Sequence, residues 1–182
     1  MTDPRPSEPP LCVDLDGTLI DGDTLVISVL HLARSAPWTL LALPFALLRG
    51  RANLKAYIAR RHVPDPSSLP WRAEVLGFLR EERERGRQIY LATAAHRLVA
   101  EAVVRHLGLF DGFVASDVAN LKGEQKALFI CNSLHCKDFD YIGDSHADLP
   151  VFRAARVGYL VAPSRSLSAA ARSVGRIARE FR

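Results

Sequence analysis

The sequence predicts an α/β protein: a doubly wound, mainly parallel sheet with an inserted α-helical cap. Two observations carry that expectation. From residue 87 onward, short apolar runs alternate with amphipathic stretches, as in repeated β-α-β units whose helices cover both faces of a parallel sheet. Residues 23–86 break this alternation with helical patterning, so they read as a cap inserted after the first strand. The expected division is a disordered lead-in at 1–10, a core built from 11–22 and 87–182, and a helical cap at 23–86.

Each element has its own signal. Leu11–Val13 is a short apolar strand that enters the polar loop Asp14-Leu15-Asp16-Gly17-Thr18. Residues 24–61 are helical in pattern, with little alternation of the strand type. Residues 71–87 form an amphipathic helix in which Val75, Phe78 and Leu79 take i, i+3, i+4 spacing, and Gly86 stops it. Strands are expected at 88–92, 112–115, 139–142 and 157–161. Helices are expected at 95–107 (closed by Gly108), 124–134 and 147–155. The tail, 164–182, reads as a surface helix with Leu167, Ala171, Val174 and Ala178 on its apolar side, although Gly175 interrupts it.

Composition narrows the function classes. The 182 residues are 48% hydrophobic and 24% charged, an ordinary globular balance that excludes collagen-like and fully disordered chains. The net charge of +4 is compatible with an anionic ligand or surface. No basic run interleaved with aromatics is present, so no nucleic-acid partner is expected. Cys12, Cys131 and Cys136 form neither a CxxC pair nor an even disulfide framework, and Cys12 reads as a buried inert thiol. The N-terminal ten residues hold four prolines and no apolar h-region, so a cytoplasmic protein is expected.

In an open α/β sheet, ligands bind beyond the carboxyl ends of the strands. Asp14 and Asp16 follow the first strand, Thr93 and Ala94 follow 88–92, and Asp144 and Asp148 follow 139–142. Lys122 opens the helix before that last strand. Carboxylates gathered in one crevice repel unless a cation joins them, and oxygen donors suit a hard ion such as Mg2+. A hydroxyl and a lysine beside them complete a site that fits a phosphoryl group.

Several of these residues have plainer readings. Asp14 and Asp16 could form a turn, and Asp148 could sit in a helix N-terminal turn, where acids are favoured. Lys126 competes with Lys122, but the Lys-Gly context favours Lys122 and leaves Lys126 as a solvated surface lysine. Ser145 reads as a loop or cap residue, and His96 as a helix N-terminal histidine that either lines the site or faces solvent.

The ordered set Asp14-Leu15-Asp16-Gly17-Thr18, Leu91-Ala92-Thr93, Lys122-Gly123 and Gly143-Asp144-Ser145-x-x-Asp148 closely resembles the four motifs of the haloacid dehalogenase superfamily. The resemblance implies a Mg2+-dependent phosphomonoester hydrolase that works through an aspartyl-phosphate. Asp14 would be its nucleophile and Asp16 its acid and base. Thr93 and Lys122 would hold the phosphoryl oxygens, beside Gly17, Thr18 and Ala94. Asp14, Asp144, Asp148 and the main-chain carbonyl of Asp16 would hold the metal. An acid at the Asp16 position points to phosphatase or mutase chemistry, so a phosphotransferase or mutase is the enzymatic rival.

Pro37 to Pro44, Leu48-Arg49-Gly50-Arg51-Ala52, Leu121-Lys122-Gly123 and the run from Asp144 to Pro150 look like the soluble domain often fused ahead of UbiA-type prenyltransferases. That likeness implies a sugar phosphate or polyprenyl-linked phosphosugar as substrate, with a membrane surface or prenyltransferase as partner. An accessory module docked on such a prenyltransferase is the non-enzymatic alternative. No prenyltransferase follows within this chain, which fits a stand-alone relative or part of a longer protein. The apolar stretch 36–48 is too short to span a bilayer as a helix. It reads as a buried, proline-interrupted pair of cap helices. The alternative is an interfacial surface flanked by Arg34, Arg49 and Arg51, which would place the protein at the inner face of the membrane.

Overall fold

Six parallel strands in the order β3-β2-β1-β4-β5-β6 form one sheet. The computed structural model describes residues 8–116, 123–136 and 138–182. The strands are β1 (Leu11–Val13), β2 (Ile89–His96), β3 (Gly112–Ser116), β4 (Asp140–Gly143), β5 (Val157–Val161) and β6 (Ile177–Phe181). The helices are α1 (Thr24–Ser35), α2 (Leu43–Leu48), α3 (Arg51–Ala59), α4 (Ala73–Glu84), α5 (Arg97–Leu107), α6 (Glu124–Leu134), α7 (Leu149–Ala154) and α8 (Arg165–Val174). Short 3₁₀ segments occupy Pro37–Ala42, Pro66–Ser68 and His146–Asp148.

The alternation of side chains along β1 splits the core into two layers. Leu11 and Val13 join Val75, Leu79, Ile89, Leu91, Val99 and Val103, so α4 and α5 cover one face. Cys12 turns the other way, to Tyr141, Phe152, Ile130, Leu167 and Ala171, so α6, α7 and α8 cover the second. Every residue of β1 is buried, as a central parallel strand requires. Burial also pushes the Cys12 thiol well above its usual pKa, which keeps it protonated and unreactive.

The structure corrects five local expectations. The strand after residue 88 does not give way to a helix at 95. It runs on to His96, with a register shift against β3 between Ala92 and His96, and the His96 side chain caps α5 by accepting from the Leu98 amide. The tail is not one helix. Only α8 is helical, and the chain then turns into β6, which pairs in parallel with β5. Gly175 makes that turn because a Cβ there would lie 2.5 Å from the Phe152 carbonyl oxygen. Pro9 and Pro10, expected in the disordered lead-in, are tied to the sheet. Their carbonyls accept from Arg87 Nε and the Asp140 amide, each at 2.9 Å.

Two corrections concern the segment expected as cap. Helix α4 packs on the sheet, so the expected boundary at residue 86 takes in a helix of the core. The stretch 36–48 is not buried: Trp38 is 67%, Leu41 77%, Phe45 70% and Leu48 85% exposed. Its helical rod is thin and rests only one side on its neighbours. Thr39, Leu40, Leu43 and Ala46 are half-buried, and among the described residues nothing covers the apolar side chains opposite. Tyr57 of α3 fixes this rod by donating to the Thr39 carbonyl at 3.0 Å.

Candidate active site

The sheet brings the expected carboxylates together because β1 lies between β2 and β4. The chain winds away from β1 in both directions, which opens a crevice at the carboxyl ends of β1 and β4. The Asp14 amide donates to the Ile142 carbonyl at 3.0 Å, so the first loop is bonded to the end of β4. Asp14, Asp144 and Asp148 each offer a carboxylate oxygen within 4.8 Å of the others.

Gly17 and Thr18 hold Asp144 in this group. Gly17 has φ +77°, a conformation that glycine adopts without strain, and an added Cβ would lie 2.1 Å from Asp144 Oδ2. The buried Thr18 hydroxyl donates to Asp144 Oδ1 at 3.0 Å. Asp148 is braced from three sides. Tyr141 donates to its Oδ1 and Ser145 Oγ to its Oδ2, each at 2.8 Å, and Lys126 Nζ lies 3.4 Å from Oδ1. Ser145 therefore has the capping role expected of it, and its partner is the site carboxylate itself.

The structure overturns the reading of Lys126. This residue is not a solvated surface lysine: it is 3% exposed, and its Nζ lies 3.0 Å from Asp14 Oδ1 and 2.5 Å from the Tyr141 hydroxyl. The cause is the geometry of α6. Gly123, at φ 58°, turns the chain into the helix so that its first turn opens beside Asp14 and Asp148. A signal for this was present in the sequence. Lys126 precedes Ile130 by four residues and adjoins Ala127, so it lies on the buried face of the helix. Lys122 lies outside the described residues, while Gly123 lines the pocket.

Asp16 is placed differently from the other three acids. Its Oδ1 accepts from the Thr24 amide at 2.7 Å, so it anchors the N-terminus of α1 and is not part of the acidic triad. Thr93 is buried, and its Oγ1 accepts from the Ala95 amide at 2.9 Å, which leaves the hydroxyl proton for another acceptor. It lies outside the set of residues lining the cavity, whereas Ala94, Ala95 and His96 lie within it.

That cavity, about 440 Å3, runs from the triad up to α1 and α3. Leu25, Leu54 and Ile58 form its apolar wall, and Arg51 and Lys55 bring positive charge. Lys55 Nζ donates to the Ala94 carbonyl at 2.5 Å, which ties the cap to the end of β2.

Electrostatics follow from burial. Desolvation raises the Asp14 carboxyl well above the usual aspartate range; Lys126 pulls it down, and Asp148 pushes it up again. Asp144 and Asp16 are raised as well, each chiefly by burial. Burial alone would lower the Lys126 ammonium, but Asp14 and Asp148 more than offset this, so it stays charged. An all-oxygen group of mutually repelling carboxylates with the buried Lys126 ammonium beside it can hold a hard metal ion and an anionic oxygen cluster.

Comparison with known proteins agrees with this layout. Residues 11–153 match the family profile of haloacid dehalogenase-like hydrolases. An uncharacterized protein, y4nM, of Sinorhizobium fredii (strain NBRC 101917 / NGR234) is 36% identical over 167 residues. That match covers 91% of this chain but 32% of y4nM, so the chain spans about a third of its relative's length. Among solved structures, a protein of unknown function from Bordetella pertussis Tohama I superposes with a TM-score of 0.71 at 16% identity, covering 94% of this chain and 98% of the other. A phosphoserine phosphatase solved as a phospho-aspartyl intermediate analogue gives 0.63 at 14% identity, covering 96% and 93%. At such identities the structural likeness speaks to the fold.

Proposed function

Because this chain belongs to the haloacid dehalogenase-like hydrolase family, we propose that it is a phosphomonoester hydrolase with Asp14 as nucleophile. The observation that carries the reading is the placement of Asp14 against Lys126, Asp144 and Asp148 at the crevice of the sheet. The neighbour solved as a phospho-aspartyl analogue supports the same intermediate.

The proposed chemistry divides one hard hydrolysis into two easier displacements. An Asp14 carboxylate oxygen attacks phosphorus, and the bond to the leaving oxygen breaks. Asp16 gives that oxygen a proton, then takes one from the water that cleaves the aspartyl-phosphate. Burial raises its pKa above the usual aspartate value, a shift in the direction that favours the proton-carrying form a general acid needs. Lys126 takes the phosphoryl-binding role first expected of Lys122, since its ammonium is beside the nucleophile. The Thr93 hydroxyl, from within β2, supplies a further donor. Asp14, Asp144, Asp148 and the carbonyl of Asp16 would hold Mg2+, which offsets the negative charge of substrate and carboxylates when bound. The wall of Leu25, Leu54 and Ile58, with Arg51 and Lys55, favours a phosphomonoester with a compact organic part, such as a sugar phosphate.

Hydrolysis of an aryl phosphate by the purified chain tests this reading. Activity should appear with Mg2+, vanish with EDTA, and be absent from a folded Asp14→Asn protein. Turnover that survives both treatments refutes the mechanism. Transfer to an added alcohol in preference to water would mark a phosphotransferase instead.

A second test uses pH. Between the ordinary aspartate value of 3.8 and about 7, the folded protein binds more protons at Asp14 than the unfolded chain does. The contribution of Asp14 to metal-free stability therefore falls as pH rises through that window. Mg2+ binds the deprotonated carboxylates, so its stabilisation grows in the same direction. Scanning calorimetry should show a larger Mg2+-induced rise in Tm at about pH 8 than at about pH 5. Equal rises at both would count against an acidic Mg2+ site.

A further inference from the structure

We propose that the outer face of the cap docks on an anionic lipid bilayer. Trp38, Leu41, Phe45 and Leu48 are all exposed and follow one another at intervals of three, four and three residues. The 3₁₀ segment Pro37–Ala42 runs into α2 through Ala42 and Leu43, both in the right-handed helical region, so the rod is continuous. Residues at those intervals share one side of it. The result is an apolar stripe headed by a tryptophan, on a rod whose other side rests on α1 and α3.

Charge identifies the occupant. Residues 24–64 contain no Asp or Glu, but they contain Arg34, Arg49, Arg51, Lys55, Arg60 and Arg61. All of these except Lys55 are exposed. A second copy of the chain would bring the same cations against themselves. An anionic headgroup layer complements them, while the acyl boundary takes up the apolar stripe. Leu47, half exposed on this rod, also lines the catalytic cavity, so docking would set the mouth of the cavity close to the lipid.

The test is co-sedimentation of the full chain with phosphatidylcholine vesicles, with and without phosphatidylglycerol. Binding is expected only with the anionic lipid, weakening with salt and accompanied by a blue shift of tryptophan emission. A Leu41→Glu/Phe45→Glu protein should lose vesicle binding and keep its circular dichroism and aryl phosphate turnover, because both side chains are exposed and neither lines the cavity. Arg49→Gln should weaken partitioning about fivefold, which corresponds to ~1 kcal/mol per basic residue at an anionic surface. Three results would each overturn the proposal. They are no partitioning of the folded chain on anionic vesicles, unchanged binding by the double variant, or a solution dimer that Phe45→Glu dissociates. Loss of turnover without loss of vesicle binding would bear on the hydrolase reading alone.

Discussion

Replacing Lys126 by Met should lower kcat/KM for an aryl phosphate by about 10²–10³-fold, the usual cost of removing one fixed positive group from a charged transition state. The same change at Lys122 should cost at least an order of magnitude less. Lys126 is the buried cation that touches both Asp14 and Asp148. Its ammonium is also 2.5 Å from the Tyr141 hydroxyl, which donates on to Asp148. Met keeps the length and apolar stem of the side chain and removes the charge and the hydrogen bond to Tyr141, so the buried volume is nearly preserved. Two carboxylates then face each other in a desolvated site without their cation. Removing one partner from a buried pair costs about 3–5 kcal/mol, so urea unfolding without metal should show a clear loss of stability. Mg2+ should restore part of that stability and little of the turnover. If Lys122→Met were the more damaging change, the assignment of the phosphoryl-binding lysine would reverse.

Gly17→Ala should be nearly as damaging. Its Cβ would occupy space 2.1 Å from Asp144 Oδ2 and 2.7 Å from the carboxyl carbon, so the Asp144 side chain must leave its present position. That swing breaks the hydrogen bond from Thr18 and takes one carboxylate out of the triad. The left-handed backbone adds ~1–2 kcal/mol of strain for any residue with a side chain. Activity at saturating Mg2+ should fall about 100-fold, and the Mg2+ concentration for half activity should rise, in keeping with the effect of disturbing a ligand. Gly77→Ala supplies the contrast. Gly77 lies inside α4 with nothing within 4 Å of an added Cβ, so the change should stabilise the protein by ~0.5–1 kcal/mol. A Gly17→Ala enzyme with normal Mg2+ dependence would contradict the role given to Asp144.

Much of the fold was legible because its signals are local. Apolar runs bounded by polar loops marked five of the six strands, β2 with its end misplaced. β6 was missed because Ile177–Phe181 reads Ile-Ala-Arg-Glu-Phe, a polar edge strand that continues the helical spacing of α8. Its status as a strand comes from pairing with β5, which local periodicity cannot reveal. The end of β2 was misjudged for a related reason. Ala94 and Ala95 favour a helix, but a register-shifted pairing with β3 holds this stretch extended.

The candidate site divides along the same line. Asp14, Asp144 and Asp148 each follow a strand by a short interval, so their place at one edge of a parallel sheet was legible from the order of residues. Strand order then made them neighbours. That Lys126 joins them was decided by tertiary structure, because the turn at Gly123 brings the first turn of α6 beside Asp14 and Asp148. The cap shows the converse. Sequence hydrophobicity marked 36–48 as apolar, but burial depends on how many neighbours surround a helix, and among the described residues this rod has them on one side only. Local pattern determined what each segment is made of and roughly which element it forms. Only the packed chain decided which side chains lost their water and which kept it.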